Sequence, residues 1–378
     1  MKLSLLQENL KRGLAIVSHA VGGKSSLPVL NNVLLATDDG RLKLAATNLE
    51  IGITCWIGAK IEDEGAITIP AKLLSDVISG LPNDLVKLWL DERTQTANLS
   101  CANVDASIKG IEADEFPVIP TIADRTPTVS FPADLLREII DSVAFAAADE
   151  KAGKPVLTGV LLRLSGATAT FAAADGYRLA RRVVELPEAV TEPLEVIIPA
   201  TALIELTRII GDVEGDVDMT VTPTGGQVLF HTESTDLVSR PIEGRYPDIE
   251  RIIPAQYLTR TILETAELAK AAKMASYFAV KSSNIVRLLI ESGGDLAPGK
   301  VTISANAAEV GDNKSVLDGM VHGAGMQIAL DVKLLQAAIG AIKTPQVALE
   351  TQSSQSPGVF KSIGTEGYIH IIMPMTVR

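Results

Sequence analysis

The 378-residue sequence predicts an α+β fold in which one domain is repeated three times, each copy two helices packed on antiparallel sheets. Three observations predict it: internal repetition at a near-constant offset, a shared order of helix and strand signals, and turn residues suited to tight reversals. The copies are read as residues 1–126, 127–253 and 254–378.

The repetition rests on landmarks. "LPVLNNVLL" and "KPVLTGVLL" place Pro28 and Pro155 127 residues apart. "TIPAKLLSDVISGL" and "IIPATALIELTRII" place Pro70 and Pro199 129 apart, and "IEADEFPVIP" and "IEGRYPDIERIIP" place Pro117 and Pro247 130 apart. A fainter third copy follows: "ALDVKLLQAAIGAI" sets Asp331 132 residues beyond Pro199.

Each copy opens on a helix: "LLQENLKRGLAIVSHA", where Leu6, Leu10, Ala15 and Val17 fall near helical spacing, then "FPADLLREIIDSVAFAA" and "LETAELAKAAKMASYFA". Strands follow. A second helix begins just after Pro70, Pro199 or Asp331, residue types favoured at helix N-termini. Alternating strands "VKLWLDE", "VDMTVTP" and "VALETQ" come next, and "GYIHIIMPM" closes the chain. The turns "TDDGR", "AADGY" and "TPTGGQ" supply glycines for tight reversals.

Composition narrows the function. Apolar residues make up 47% and aromatics 4%, so the core is aliphatic. A net charge of −12 excludes a uniformly basic nucleic-acid binder but permits a local basic surface. Cys55 and Cys101, with no secretory pattern at the start, fit a reducing cytoplasm. No apolar run is long enough to span a membrane, so no membrane partner is expected.

The motif search yields no catalytic constellation. "GGKS" at Gly22–Ser25 is the second half of a phosphate-binding loop, yet Ser18 stands where the first glycine belongs, and the loop lies between a helix and a strand in inverted order. His19, His231, His322 and His370 form no zinc signature, and the cysteines read as packed thiols. No metal, cofactor or enzymatic activity is expected. This leaves a binding or scaffolding role, a nucleotide-binding protein, which this loop disfavours, and a purely structural repeat scaffold with no nucleic-acid role.

"KPVLTGVLL" with "AAADGYRLARR", "GRYPDIERIIP" and the terminal "IHIIMPM" resemble the bacterial DNA polymerase III β subunit, the replicative sliding clamp, and the resemblance covers the whole chain. It implies three clamp domains per chain and a head-to-tail homodimeric ring with pseudo-sixfold symmetry, helices lining the hole and sheets outside. Such a ring encircles double-stranded DNA without regard to sequence. It is loaded by an ATP-driven clamp loader and tethers the DNA polymerase III α subunit, other polymerases and repair proteins through short linear peptides. The implied place is the cytoplasm, at the nucleoid.

The resemblance also carries residues. Lys24, after Gly22-Gly23, matches a basic DNA-touching residue at the ring's inner rim, the glycines serving as a helix stop. The predicted helices sum to about +1, and their cations Lys11, Arg12, Lys72, Arg137, Arg208, Lys270, Lys273 and Lys333 are the other DNA-contact candidates. The partner-peptide cleft would use Leu157, Ala174, Gly176, Tyr177, Arg178 and Leu179, then Pro247, Arg251 and Ile252, Leu334 and Val359, and Ile371, Met373, Pro374 and Met375. Two departures stand out. Leu334 replaces an aromatic gate found in some members, and "MTVR" replaces a basic-apolar end.

Overall fold

A computed structural model describes residues 1–23, 27–120, 126–222, 225–293 and 298–376. Copy 1 runs β1 (Lys2–Leu6), α1 (Gln7–Ser18), β2 (Asn32–Asp38), β3 (Arg41–Thr47), β4 (Ile51–Gly58), β5 (Lys60–Asp63), β6 (Ala66–Pro70), α2 (Ala71–Gly80), β7 (Leu85–Asp91), β8 (Thr96–Cys101) and β9 (Val104–Lys109). Copy 2 runs β10 (Val129–Pro132), α3 (Ala133–Val143), β11 (Gly159–Ser165), β12 (Thr168–Ala174), β13 (Arg178–Glu185), β14 (Leu194–Pro199), α4 (Ala200–Ile209), β15 (Asp216–Val221), β16 (Val228–His231) and β17 (Thr235–Ser239). Copy 3 runs β18 (Thr259–Glu264), α5 (Thr265–Ala279), β19 (Ile285–Glu291), β20 (Gly299–Ala307), β21 (Gly311–Gly323), β22 (Met326–Asp331), α6 (Val332–Ala341), β23 (Gln346–Thr351), β24 (Gly358–Ser362) and β25 (Tyr368–Ile372).

The α+β architecture and its threefold grammar are as the sequence predicts, with one difference. A short strand, not a helix, opens every copy: β1, β10 and β18. The alternation in "KLSLL" carries that signal, since Leu3 and Leu5 are buried while Lys2 points to solvent.

Strands pair across copy boundaries. β17 of copy 2 pairs with β4 of copy 1, and β25 of copy 3 pairs with β13 of copy 2. The sheets are therefore β5-β1-β7-β8-β9, β10-β15-β16-β17-β4-β3-β2-β6, and a twelve-stranded sheet from β14 to β22. The compact units of the fold accordingly cut through copy 2. Residues 1–137 with 201–241 form one, and 138–200 with 242–378 the other.

In the first unit, α1 buries Leu10, Gly13, Leu14 and Val17, the stripe of one helical face, while Ala15 and Leu6 turn outward against the spacing first read. Gly13 lets the helix sit close on the sheet: a Cβ there would lie 2.7 Å from Leu44 and 3.2 Å from Ile57. The helix ends at Ser18, capped by His19, well before the glycines. Gly22 is instead needed for close approach, its N–H donating to the Leu30 carbonyl at 2.9 Å, with the Leu30 oxygen 3.1 Å from where a Cβ would stand. In the second unit, α5 presents Leu268, Ala271, Ala272, Ala275 and Ala279 to the sheet. α6 starts where Asp331 accepts the N–H groups of Lys333 and Leu334 at 2.8 and 3.2 Å. The tight reversal expected of "TDDGR" is present, with both central residues left-handed as in a type I′ turn: Asp39 and Gly40 have φ of 47° and 72°.

Candidate functional site

The peptide-cleft candidates all belong to the second unit, and the structure sorts them into groups. Leu157, Ala174, Leu179, Val359 and Ile371 share one buried cluster with Leu161, Ala172, Ile197, Tyr246 and Ile249. Strand alternation explains this gathering, because Leu179 on β13 is directly opposite Ile371 on β25, and Val359 on β24 is opposite Ile371 from the other side. These side chains form a floor. Of the other candidates, Tyr177, Pro247, Arg251 and Ile252 are exposed.

Local chemistry holds the turn of "ADGYRL". Gly176 takes φ of 97°, a left-handed conformation that glycine adopts without steric cost. The Asp175 carboxylate accepts the N–H groups of Tyr177 and Arg178 at 2.8 and 3.0 Å and pairs with the Arg178 guanidinium at 3.0 Å. Arg178 also lies over the Phe145 ring at 5.4 Å. Arg251 pairs with Asp248 at 3.0 Å, and Arg181 with Glu250 at 2.9 Å.

The terminal strap spans a second element. Met373 N–H donates to the Tyr177 carbonyl and Met375 N–H to the Ala329 carbonyl, each at 2.8 Å. Met373, Pro374 and Met375 line a cleft of about 930 Å³ with Leu258, Gln327, Ala329 and the Gln352–Gln355 turn. Leu334 joins neither the floor nor this cleft. On α6 it packs against the helix-side core of copy 3, one residue before the fully buried Leu335.

Tyr246 was a repeat landmark but not a site candidate, and it is central. Its hydroxyl accepts the Ala174 N–H at 2.9 Å, and burial pushes its pKa up to about 12. The cue was its place two residues before "DIE", at the position of Phe116 in copy 1. Leu258 and the Gln352–Gln355 turn were also missed. They are exposed loop residues without periodicity.

The basic candidates divide similarly. Lys11 and Lys72 line one groove of about 370 Å³ between α1 and α2, beside Ser18, Ser75, Ser79 and Asp76. Arg12 and Lys333 are exposed. Lys273 lines a groove of about 650 Å³ between α5 and α6 that also holds Lys343, a cation the sequence reading passed over. Lys270 pairs with Glu267 at 2.9 Å and Arg208 with Glu205 at 2.7 Å, and Glu205 also meets His19 at 3.0 Å. Arg137 donates at 2.6 Å to the Asp134 carboxylate and at 2.7 Å to the Gly211 carbonyl, tying α3 to the segment after α4. Lys24 lies outside the described residues. With the observed helix ends, the six helices carry a net +1 in a chain of −12.

Among the described residues no three metal-ligating side chains converge, and no helix is long and apolar enough to cross a membrane. Burial raises the thiol pKa of Cys55 and Cys101, and neither is in a disulfide.

His370, on the opposite face of β25 from Ile371, is fully buried, stacks on Phe145 at 5.4 Å between ring centres, and has no hydrogen-bond partner for either ring nitrogen. Burial first, then the Arg178 charge, drives its pKa from 6.5 down to about 3. It is neutral in the fold, so above pH 6.5 its protonation costs nothing. As pH falls toward 3, the unfolded chain takes up a proton that the folded chain refuses, and stability declines. His370→Phe should remove that slope, worth about 2 kcal/mol at pH 5 on the 1.36 kcal/mol per unit scale. Urea unfolding of both proteins at pH 5 and 7.5 measures it, and an unchanged pH dependence would show that His370 is not its source.

Profiles of three domains match the chain in order: the DNA polymerase III beta subunit N-terminal domain over residues 1–120, its central domain over 130–248 and its C-terminal domain over 250–376. The beta sliding clamp of Synechococcus elongatus is 32% identical, covering 100% of both chains, and that of Synechocystis is 32% identical over 99% of each. A crystal structure of a putative DNA polymerase III beta subunit from Eubacterium rectale matches over 100% of both chains with a TM-score of 0.91 and 25% identity.

Proposed function

The chain belongs to the DNA polymerase III β-subunit family of sliding clamps, and from that premise we infer that it forms a head-to-tail homodimeric ring that encircles duplex DNA and tethers replication proteins to it. The observation that carries this reading is the repeated strand pairing between copies. β17 meets β4 with Ser239 opposite Ile51 and Thr235 opposite Cys55. β25 meets β13 with Ile372 opposite Arg178 and Tyr368 opposite Arg182, the same register in repeat terms. The last strand of copy 1, β9, pairs with β8 alone among the described residues. In copy 3, the stretch of β21 from Gly311 to Gly319 pairs only with β20 among the described residues. Two open edges of matching kind call for a second chain, and head-to-tail contacts close into a ring when the rotation allows.

The surroundings of β21 support this. Phe278 lies beside Gly311, and Met274, Tyr277, Val280 and Val310 are exposed, as is Val104 on β9. Six domains in such a ring would each turn two helices toward the DNA. Helices of net +1 hold phosphates weakly, as sliding requires, whereas a strongly basic bore would bind too tightly to slide. The chain would have no catalytic role. It would act as a tether, its partners being the DNA polymerase III α subunit, the clamp loader, other polymerases and repair proteins, engaged through peptides over the Leu157–Ile371 floor and against the Met373–Met375 strap.

The seam register transfers to the subunit boundary and sets Asp105 opposite Lys314, with Ser107 opposite Asp312. A chain carrying Asp105→Cys and Lys314→Cys should therefore oxidise to a covalent dimer near 80 kDa, twice 40.0 kDa. Either single variant should not. A monomer at micromolar concentration in light scattering would count strongly against the ring.

Removing the chain from Met373 onward should abolish binding of a Gln-Leu-Phe-type peptide in isothermal titration while the dimer persists. One apolar anchor buried there contributes about 1.5–3 kcal/mol. Unchanged affinity would sink the cleft assignment. Lys24→Ala should lower the slope of log affinity against log salt by roughly 0.9 if it meets one phosphate. An unaltered slope would remove Lys24 from the interface.

A further inference from the structure

The two seams within the chain are equivalent, and so are their surroundings. In copy 1, Leu30, Leu34, Ala45, Phe116, Ile119, Leu229 and Val238 pack in two adjoining clusters bridged by Ile119. In the repeat they correspond one for one to Leu157, Leu161, Ala172, Tyr246, Ile249, Val359 and Ile371, the floor of the peptide cleft and its cover. The strap is matched as well: Arg240 N–H donates to the Glu50 carbonyl at 3.2 Å, as Met373 does to Tyr177.

What differs is the surface. Leu49 stands where copy 2 has Gly176, and it holds the same left-handed backbone, φ 74° against 97°. Leucine is strained there, and its side chain is 44% exposed. Val118, at the position of Asp248, is 94% exposed, and the intervening Gly52 is in contact with Ile119, 3.0 Å from where its Cβ would be. A strained leucine and a bare valine beside one seam bring the fold nothing. Both suit a surface that a partner covers. Charge identifies the partner. Lys154, Tyr177 and Arg178 of the cleft correspond here to Leu27, Glu50 and Ile51, and Glu112, Asp114 and Glu115 are exposed on the approach to Phe116, with the cation Arg240 on the strap.

We propose that the β4–β17 seam is a second docking site, taking an extended peptide with an apolar anchor flanked by basic residues. The inference rests on the reading of the β13–β25 cleft as a peptide site, because the correspondence between them defines its geometry. The two sites would let one chain hold two partners of opposite flanking charge.

The test uses two fluorescein-labelled ten-residue peptides with the same Leu-Phe anchor, one flanked by lysines and the other by glutamates. Anisotropy is read on the dimer truncated before Met373, so that the cleft is disabled. The lysine-flanked peptide should bind one per chain, and the glutamate-flanked one about tenfold more weakly, a charge effect of rim residues. Leu49→Gly should lower the affinity for the lysine-flanked peptide by about tenfold, the loss of one buried anchor contact. It also relieves the left-handed strain, so its Tm should hold or rise, which separates lost binding from lost folding. No binding to the truncated dimer, or an affinity that Leu49→Gly and Val118→Ser both leave unchanged, would overturn the second site. Failure of the cleft reading is seen separately, as a Gln-Leu-Phe-type peptide that keeps its affinity after truncation.

Discussion

Backbone hydrogen bonding at sheet edges is the constraint on which the rest of this structure depends. A strand with one bare edge exposes a row of N–H and C=O groups that must find partners in water or in another strand. Here β4 and β13 find them in the next copy, at β17 and β25. Because the sheets run across copy boundaries, copy 2 is divided between the two compact units. The seams also place side chains of distant sequence side by side, Leu179 against Ile371 and Gly52 against Val238. The same constraint, applied to β9 and β21, is what calls for a second chain.

The core that supports these sheets is aliphatic, and its helices are shaped to that. α5 lays alanines on the sheet, and α1 uses Gly13 to bring its backbone close to Leu44 and Ile57. Small residues on the helix side let large ones, Leu44, Ile53 and Phe360 among them, fill the sheet side without voids. With few aromatics available, four fully buried phenylalanines, Phe131, Phe171, Phe230 and Phe360, are the largest side chains inside. One of the buried polar groups that break the pattern is His370. It occupies the position that Leu237 fills at the other seam, and it is tolerated because its neutral ring can stack on Phe145.

Much of this was legible in the sequence because repetition multiplies weak signals. Pro70, Pro199 and Asp331 each preceded a helix, and the glycine turns fell where the strands reverse. The opening strands were lost because five residues before a long amphipathic helix give too short an alternation to compete with it. At the site, the buried floor was legible by resemblance, whereas the Leu258 and Gln352–Gln355 walls were not, since exposed loops carry no periodicity. Leu334 and Arg137 show what residue type alone leaves open. An apolar residue on a helix can face either of two cores, and a surface arginine three residues from an aspartate is as ready to pair at home as to meet a phosphate.

A repeated seam also explains how near-identical geometry could acquire different surfaces. The pairing of β17 with β4 and of β25 with β13 is made by main-chain groups, so the register survives any side chain that does not fill the core. Variation is therefore cheapest where the strands turn and where the following segment crosses them: Leu49 against Gly176, Val118 against Asp248, Phe116 against Tyr246. At Tyr246 the exchange adds a hydrogen bond to Ala174, and the cluster gains a polar anchor. At Leu49 the exchange adds strain and exposed apolar surface, which folding alone would select against. The asymmetry between the two seams thus lies in the residues that main-chain pairing leaves unconstrained, and those are the residues a partner can read.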